Sequence, residues 1–120
     1  MKSHGYAEFS WQNNTLYVHA FGPFNAEGID EVEVQYLSKL DKNKQRQFKI
    51  IEIWDDETLA GPESIAKVGN LWQTLLPENC IAIAVVVSNA VQLSLCEKHL
   101  PIIGKAFTDV SSAEAWLNQN

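Results

Sequence analysis

The feature that most constrains the fold is an unbroken apolar run at residues 81–87, with the sequence Ile-Ala-Ile-Ala-Val-Val-Val. Most of these residues are β-branched, which favours a strand over a helix. A strand with one solvent-exposed face would alternate between apolar and polar residues. Because this run does not alternate, the strand is expected to be covered on both faces. A run of this length is also far too short to span a bilayer, which takes about 20 apolar residues.

Strand and helix patterns alternate along the rest of the chain. Asn13-Asn14 separates two short apolar segments and predicts a hairpin, because Asn tolerates left-handed backbone angles. Apolar residues at helical spacing predict a helix at residues 25–40 and another that begins at Gly61-Pro62 and ends at Pro77. The remaining predicted elements are strands at residues 6–11, 16–21, 48–54, 81–87 and 105–107, a helix at 90–99, and a final helix after a capping box at Ser111-Ser112-Ala113-Glu114.

The resulting order, ββαβαβαβα, predicts an α/β fold. Because strands that alternate with helices make right-handed crossovers, the sheet is expected to be mostly parallel, with an antiparallel N-terminal edge strand and flanking helices. A chain of 120 residues fits a single domain. Trp116 and Leu117 are expected to anchor the final helix beside Phe107.

The charge balance argues against two classes of partner. With 9 basic and 15 acidic residues, the net charge is −6. Nucleic acids and anionic lipid surfaces both attract clustered Lys and Arg, so neither is an expected partner. The N-terminal residues lead into no apolar segment of a secretory signal, and Cys80 and Cys96 belong to no Cys-x-x-Cys pair. A cytoplasmic protein with two reduced thiols and no cofactor is the expectation.

The closing segment carries a family resemblance. Ala106-Phe107-Thr108-Asp109, followed by Ala113-Glu114-Ala115-Trp116-Leu117, resembles the terminal strand and helix of many small SpoIIAA-like, or STAS-like, proteins. The order of elements and the short last strand resemble the same family, which shares a general architecture with CRAL-TRIO lipid-binding domains. The resemblance implies a SpoIIAA-like fold over essentially the whole chain and a role without catalysis. Some members are anti-sigma-factor antagonists switched by phosphorylation, and others bind nucleotides or lipids.

The phosphorylation switch of those antagonists has only a weak counterpart in this chain. Their Asp-Ser-Ser-Gly-type turn corresponds to Asp55-Asp56-Glu57-Thr58, in which the Ser-Ser-Gly is absent. Thr58 is the nearest hydroxyl and Ser64 the next, and a phosphate on Thr58 would be repelled by the three carboxylates before it. A solvated acidic loop is therefore favoured over a switch.

Polar residues follow several predicted strands at their carboxyl ends, where open α/β sheets bind ligands. This candidate rim consists of Asp55, Asp56, Glu57, Thr58, Ser88, Asn89, Thr108 and Asp109. The same residue types are ordinary in turns and N-caps, and that interpretation is favoured. The three acids also suggest a Mg²⁺ or phosphate-handling site, but further acids that such a pocket needs are lacking after Phe21. His4, His19 and His99 share no ligand spacing with the cysteines, so no metal is predicted.

Alternation along two strands suggests a surface of another kind. Tyr17, His19 and Phe21 share one face of the second strand, and Phe48, Ile50, Glu52 and Trp54 share one face of the third. If the two sets lie on the same side of the sheet, they form a broad apolar face around one His and one Glu. A plain core is one explanation, and a dimer surface or an apolar-ligand pocket is the other.

Three functions remain open at this point. The leading hypothesis is a non-catalytic binding or regulatory module that acts through protein–protein contacts, with an unknown partner and a homodimer expected. The first alternative is a carrier or sensor of a small apolar, lipid-like ligand. The second alternative is an acid-dependent, phosphate-handling enzyme that uses Asp55, Asp56 and Glu57.

Overall fold

The computed structural model describes residues 2–41, 46–58, 62–75 and 79–120. The strands are β1 (Tyr6–Gln12), β2 (Thr15–Phe21), β3 (Phe48–Trp54), β4 (Cys80–Val86) and β5 (Gly104–Phe107). The helices are α1 (Ala26–Asp41), α2 (Pro62–Leu75), α3 (Ala90–His99) and α4 (Val110–Asn118). The order is ββαβαβαβα as predicted, and the predicted helix boundaries at Gly61 and Pro77 lie outside the described residues.

The five strands form one sheet in the order β1-β2-β3-β4-β5. β1 is antiparallel to β2, and every other neighbouring pair is parallel. The hairpin turns through Asn13, whose φ of 57° lies in the left-handed region, as the Asn pair predicted. The α/β class, the mostly parallel sheet and the antiparallel edge strand are therefore all confirmed.

The two faces of the sheet are covered unequally. On the broad face, helices α1, α2 and α3 pack over the strands, and the buried core there includes Leu16, Val18, Ala20, Phe48, Ile50, Trp54, Ile83, Val85, Ile29, Tyr36, Leu40, Ile65, Leu71, Trp72 and Cys96. On the opposite face, called the α4 face, α4 is the one helix of the described residues that packs, and it contacts β3, β4 and β5. Its smaller core consists of Ile51, Ala82, Ala84, Val86, Ala113 and Leu117.

Residue size explains the close approach of α4. The β4 run that is apolar on both sides presents Ala82 and Ala84 to α4, and both are fully buried. Small side chains let a helix lie near the strand, while the larger Ile83 and Val85 fill the space under the three helices. The expectation of a central strand covered on both faces is confirmed for β4.

Leu117 should matter more than Trp116 for holding α4. Leu117 is 3% exposed, whereas Trp116 is only half-buried against Phe107, with ring centroids 5.6 Å apart. Leu117→Ala should lower the free energy of unfolding by about 2–5 kcal/mol, and Trp116→Ala by about 1–3 kcal/mol because its ring retains contact with water. Urea unfolding of the two variants measures both losses, and a larger loss for Trp116→Ala would contradict the assignment.

Within the part of the chain that the structure describes, no helix combines the length and apolarity needed to cross a bilayer.

Candidate functional site

The candidate rim residues do meet at one edge of the sheet. Asp56, Ser88, Asn89, Thr108 and Asp109 line a groove of about 530 Å³ at the carboxyl ends of β3, β4 and β5. The parallel strands carry these residues to the same end of the sheet. Asp55, Glu57 and Thr58 belong to the turn that follows β3.

Asp55 organises that turn. Its Oδ1 accepts hydrogen bonds from the backbone N–H of Gly22 at 3.2 Å, from that of Glu57 at 3.0 Å and from the hydroxyl of Thr58 at 2.7 Å. The turn lies so close to the end of β2 that a Cβ on Gly22 would come within 2.0 Å of the carbonyl oxygen of Glu57. Asp55 therefore acts as a structural acceptor that joins the ends of β2 and β3.

Asn89 and Asp109 cap two helices. The side chain of Asn89 accepts from the backbone N–H of Gln92 at 2.9 Å, and that of Asp109 accepts from Ser112 at 2.8 Å. The capping box predicted at Ser111 is therefore wrong: α4 begins two residues earlier, with Asp109 as its N-cap. The backbone N–H and the hydroxyl of Ser112 lower the pKa of the Asp109 carboxyl.

Gln92 is a rim residue that the sequence pattern did not indicate. It is buried, its amide nitrogen donates to the carbonyl of Asp55 at 2.7 Å, and its amide oxygen accepts from the backbone N–H of Ser88 at 2.8 Å. The hydroxyl of Ser88 donates to the carbonyl of Trp54 at 2.6 Å. These bonds tie α3 to the ends of β3 and β4, so most polar groups of the rim serve the fold.

The two hydroxyls considered for phosphorylation lie in the interior. Thr58 is 3% exposed, and its hydroxyl lies 2.9 Å from the carbonyl of Ala20 as well as near Asp55. Ser64 is 8% exposed and donates to the carbonyl of Phe24. A kinase would reach either one only after local unfolding. Among the described residues, no three His, Cys, Asp or Glu side chains are placed to hold a metal ion together.

The two aromatic sets do not lie on the same side of the sheet, so the single broad apolar face that depended on this condition does not form. β2 and β3 are parallel, and their register pairs Tyr17 with Ile51 and His19 with Ile53, while Val18 pairs with Glu52 and Ala20 with Trp54. Paired neighbours point to the same face, so Tyr17, His19 and Phe21 lie on the α4 face. Phe48, Ile50, Glu52 and Trp54 lie on the broad face, and all four are buried under the helices.

The α4 face is left partly uncovered. Beyond α4, the side chains of β1 and β2 form an uncovered strip that consists of Tyr6, Glu8, Ser10, Gln12, Tyr17, His19 and Phe21. Tyr6 is 59% exposed and stacks on Phe21 with ring centroids 4.9 Å apart. The ring of His19 meets Phe21 edge-on at 6.1 Å.

Tyr17 joins the strip to α4. Its hydroxyl donates to Oε2 of Glu114 at 2.5 Å. Burial, together with this hydrogen bond and the Glu114 charge, raises the pKa of Tyr17 to about 12. The strip therefore has one fixed boundary, at α4, and one free boundary, at the outer edge of β1.

Glu52 is the centre of a buried polar cluster on the broad face. It is 5% exposed and accepts three hydrogen bonds: from the hydroxyl of Tyr36 at 2.5 Å and the indole N–H of Trp72 at 2.9 Å on Oε2, and from the indole N–H of Trp54 at 3.0 Å on Oε1. The rings of Trp54 and Trp72 stack at 6.1 Å. Two oxygens that only accept suit an ionised carboxylate.

Two groups near Glu52, the hydroxyl of Tyr36 and the thiol of Cys96, have raised pKa values. Burial first, and then the charge and hydrogen bond of Glu52, raise the pKa of Tyr36 well above its usual value. Burial, followed by the charges of Glu52 and Glu97, also raises the pKa of the Cys96 thiol. No Lys, Arg or His among the described residues pairs with Glu52, so its charge is balanced only by neutral donors.

The comparisons with known proteins support the fold. The chain is similar to an uncharacterised protein of the DUF3478 family from Shewanella loihica PV-4, whose crystal structure has a SpoIIAA-like fold. The TM-score is 0.64 at 14% sequence identity, over 98% of this chain and 96% of that one. No family model matches the sequence. No curated protein matches it either. The chain thus has a SpoIIAA-like fold, as the resemblance implied.

Proposed function

We propose that this chain is a non-catalytic binding module that acts through protein–protein contacts, with the uncovered strip as its contact surface. The observation that carries the proposal is the half-covered α4 face, where the exposed ring of Tyr6 stacks on the half-buried ring of Phe21. Aromatic side chains bring large apolar area to an interface, and exposed apolar patches of this kind mark contact sites.

The partner that fits the strip is a second copy of this chain. A net charge of −6 opposes self-association over most of the surface, but Glu8 is the only acidic side chain of the strip. Glu8 and His19 are cross-strand neighbours and both are exposed. A twofold axis through the strip reverses their order, which allows His19 of one copy to face Glu8 of the other. The strip and the adjoining part of α4 supply the contact area.

The cytoplasm is the proposed compartment for this module. Cys80 and Cys96 are both free thiols, which suits a reducing environment. Regulation is proposed to act through the protein contact itself. In this proposal the rim groups serve the fold, because Asp55, Asn89 and Asp109 each accept backbone N–H groups with Oδ1.

Light scattering on a size-exclusion column tests the proposal. At high micromolar concentration the wild type should have the mass of a dimer, and Tyr6→Arg should give a folded monomer because it places a charge in the desolvated contact. Val91→Arg is the matched control: Val91 is 69% exposed on α3, away from the strip, so that variant should stay dimeric.

A monomeric wild type would contradict the dimer and remove the reason for assigning the strip to it. Trp54→Glu, a probe that a single aromatic face would have suggested, is unsuitable because Trp54 lies on the broad face. Trp54 is 3% exposed and donates to Glu52, so that substitution would disrupt the core rather than an interface.

A further inference from the structure

The outer edge of β1 presents backbone groups that have no partner among the described residues. On the inner side of the hairpin, Lys49 N–H donates to the carbonyl of Asn14 at 2.9 Å, and Asp55 N–H donates to that of Ala20 at 3.1 Å. Even-numbered residues of this segment therefore face β3, and odd-numbered residues of β2 face the even-numbered residues of β1. The outward N–H and C=O groups of β1 are those of Ala7, Phe9 and Trp11.

This edge lacks the features by which sheets usually block further pairing. β1 has seven residues, its register with β2 is unbroken, and it contains no Pro, Lys or Arg. Exposed edge strands in natural proteins are normally short, bulged or protected by such residues. The opposite edge of the sheet is protected, because β5 has four residues and carries Lys105. The edge of β1 is therefore one that another strand can join.

A groove lies beside the same edge, between β1 and α1. Its volume is about 460 Å³, and it is lined by Ala7, Phe9, Val34, Gln35, Ser38 and Lys39. The side chain of Val34 is 68% exposed, and Phe9 is half-buried. A strand paired with β1 would direct every second side chain to this side of the sheet. Apolar side chains at those positions would cover Val34 and Phe9.

We propose that an extended segment of a partner protein binds at this edge as a sixth strand, antiparallel to β1. The backbone defines this class of partner, because a row of outward N–H and C=O groups is satisfied by the main chain of another strand. Antiparallel pairing is the slightly more stable of the two arrangements. The proposal rests on the proposed function only in treating the chain as a protein-binding module. It uses a different surface from the uncovered strip and does not require the dimer.

The charges near the edge define the pattern of the bound segment. Side chains that enter the groove should be apolar, since Lys39 would repel a basic group there. Side chains on the opposite face would lie beside Glu8, which is exposed, and a basic residue is favoured next to it. The net charge of −6 also favours the approach of a basic segment. The partner segment is therefore an amphipathic strand in which apolar residues alternate with basic or hydroxyl residues.

The probe is the peptide acetyl-Thr-Val-Lys-Val-Thr-Val-Lys-amide, titrated into the isotope-labelled full chain and followed by NMR. We expect saturable binding with a dissociation constant below about 1 mM. In the free protein the backbone amide hydrogens of Ala7, Phe9 and Trp11 should exchange fast with solvent, and the peptide should slow their exchange about tenfold or more. The amides of Glu8 and Ser10 already face β2, so they are the internal reference.

Two matched peptides test the hydrogen bonds themselves. In an antiparallel pair with the Val side chains in the groove, the Val N–H groups face β1 and those of Thr and Lys face away. N-methylation of the central Val should therefore weaken binding about tenfold or more. N-methylation of the Thr that follows it should change the dissociation constant less than about threefold, because that N–H makes no bond to β1.

Two variants of the protein make the same test from the other side of the contact. Ala7→Pro removes one outward N–H and leaves the bonds between β1 and β2 in place. It should weaken peptide binding about tenfold or more while the circular dichroism spectrum stays native. Ala7→Ser is the matched control, since it keeps the N–H and should bind the peptide as the wild type does.

Three results would overturn the proposal: no saturable binding, equal losses for the two N-methylated peptides, or wild-type affinity in a folded Ala7→Pro. Slow exchange of the outward amides in the free protein would also overturn it, because a second copy would then already cover the edge. The dimer is judged separately by light scattering at the same protein concentration. A monomeric wild type that binds the peptide contradicts the dimer and supports the edge site.

Discussion

Raising the pH from 9 to 11 should remove about 6 kcal/mol of stability from this protein, enough to unfold it. Three buried acids cause the effect. Burial raises the pKa of the Cys80 thiol to about 12, and it also raises the pKa values of Cys96 and Tyr36. The folded state therefore keeps these protons at a pH where the unfolded chain has released them.

The direction of this linkage follows from the shifts. Each folded-state pKa is above its unfolded value, 9.0 for the thiols and 10.0 for Tyr36. The stability that these groups contribute is complete below pH 9 and is lost as the pH rises. Each thiol costs about 1.4 kcal/mol for every pH unit above its unfolded pKa. The two thiols over two pH units account for the loss of about 6 kcal/mol, and Tyr36 adds to that loss in the same direction above pH 10.

Urea titrations at pH 8, 9, 10 and 11, followed by circular dichroism, measure the loss. The matched variant is Cys80→Ala combined with Cys96→Ala. It lacks both thiols, so its stability should change little between pH 8 and 10 and should fall only above pH 10, where the raised pKa values of Tyr36 and Tyr17 still act. If the free energy of unfolding of this double variant fell between pH 9 and 10 as steeply as that of the wild type, the assignment of the loss to the buried thiols would be contradicted.

The sequence predicted local structure well because local structure depends on residues close together in the chain. β3 and α3 have the predicted bounds, and β4 begins one residue before the predicted strand. Within each strand the division into two faces was also correct, since alternation is a local property. Asp109 shows the limit at helix ends: both Asp109 and Ser111 have side chains that cap, and only the backbone path selects between them.

The relation between strands could not be predicted in the same way. Tyr17 belongs to β2 and Phe48 to β3, and 26 residues separate the end of β2 at Phe21 from the start of β3 at Phe48. The alternation within each strand carries no information on the register between the two strands. A shift of one residue moves a whole set of side chains to the other face. That single unknown decided whether the aromatic sets formed one surface or, as observed, one uncovered strip and one buried cluster.

The Glu52 cluster could not be predicted from the sequence for a similar reason. Glu52 was noticed because it interrupts an apolar face, but its donors Tyr36 and Trp72 lie 16 and 20 residues away on two different helices. The helical spacing of Tyr36 and Trp72 indicates that both are core residues. The sequence does not show which acceptor the hydroxyl of a buried Tyr or the indole N–H of a buried Trp will find. The signal available in the sequence was the conjunction of one acid with Tyr and Trp on the stripes of neighbouring helices.

Removing the Glu52 carboxylate should be among the most damaging single substitutions in this protein. Glu52→Ala leaves the indole N–H groups of Trp54 and Trp72 and the hydroxyl of Tyr36 without their acceptor. Each buried donor left unsatisfied costs about 1–3 kcal/mol. Because the substitution also removes a charge from the interior, part of that cost is offset, and we expect a net loss of about 3–5 kcal/mol.

Urea unfolding at pH 7 measures this loss against two variants that separate its causes. Glu31→Ala, at an exposed acid on α1, should change stability by no more than about 0.5 kcal/mol. Glu52→Gln should lie between Glu31→Ala and Glu52→Ala. Its one oxygen can serve Tyr36 and Trp72, but its –NH₂ then faces the indole N–H of Trp54, where two donors meet. A loss below about 1 kcal/mol for Glu52→Ala would show that the three donors find water or other acceptors, and that the carboxylate does not hold the two tryptophans in place.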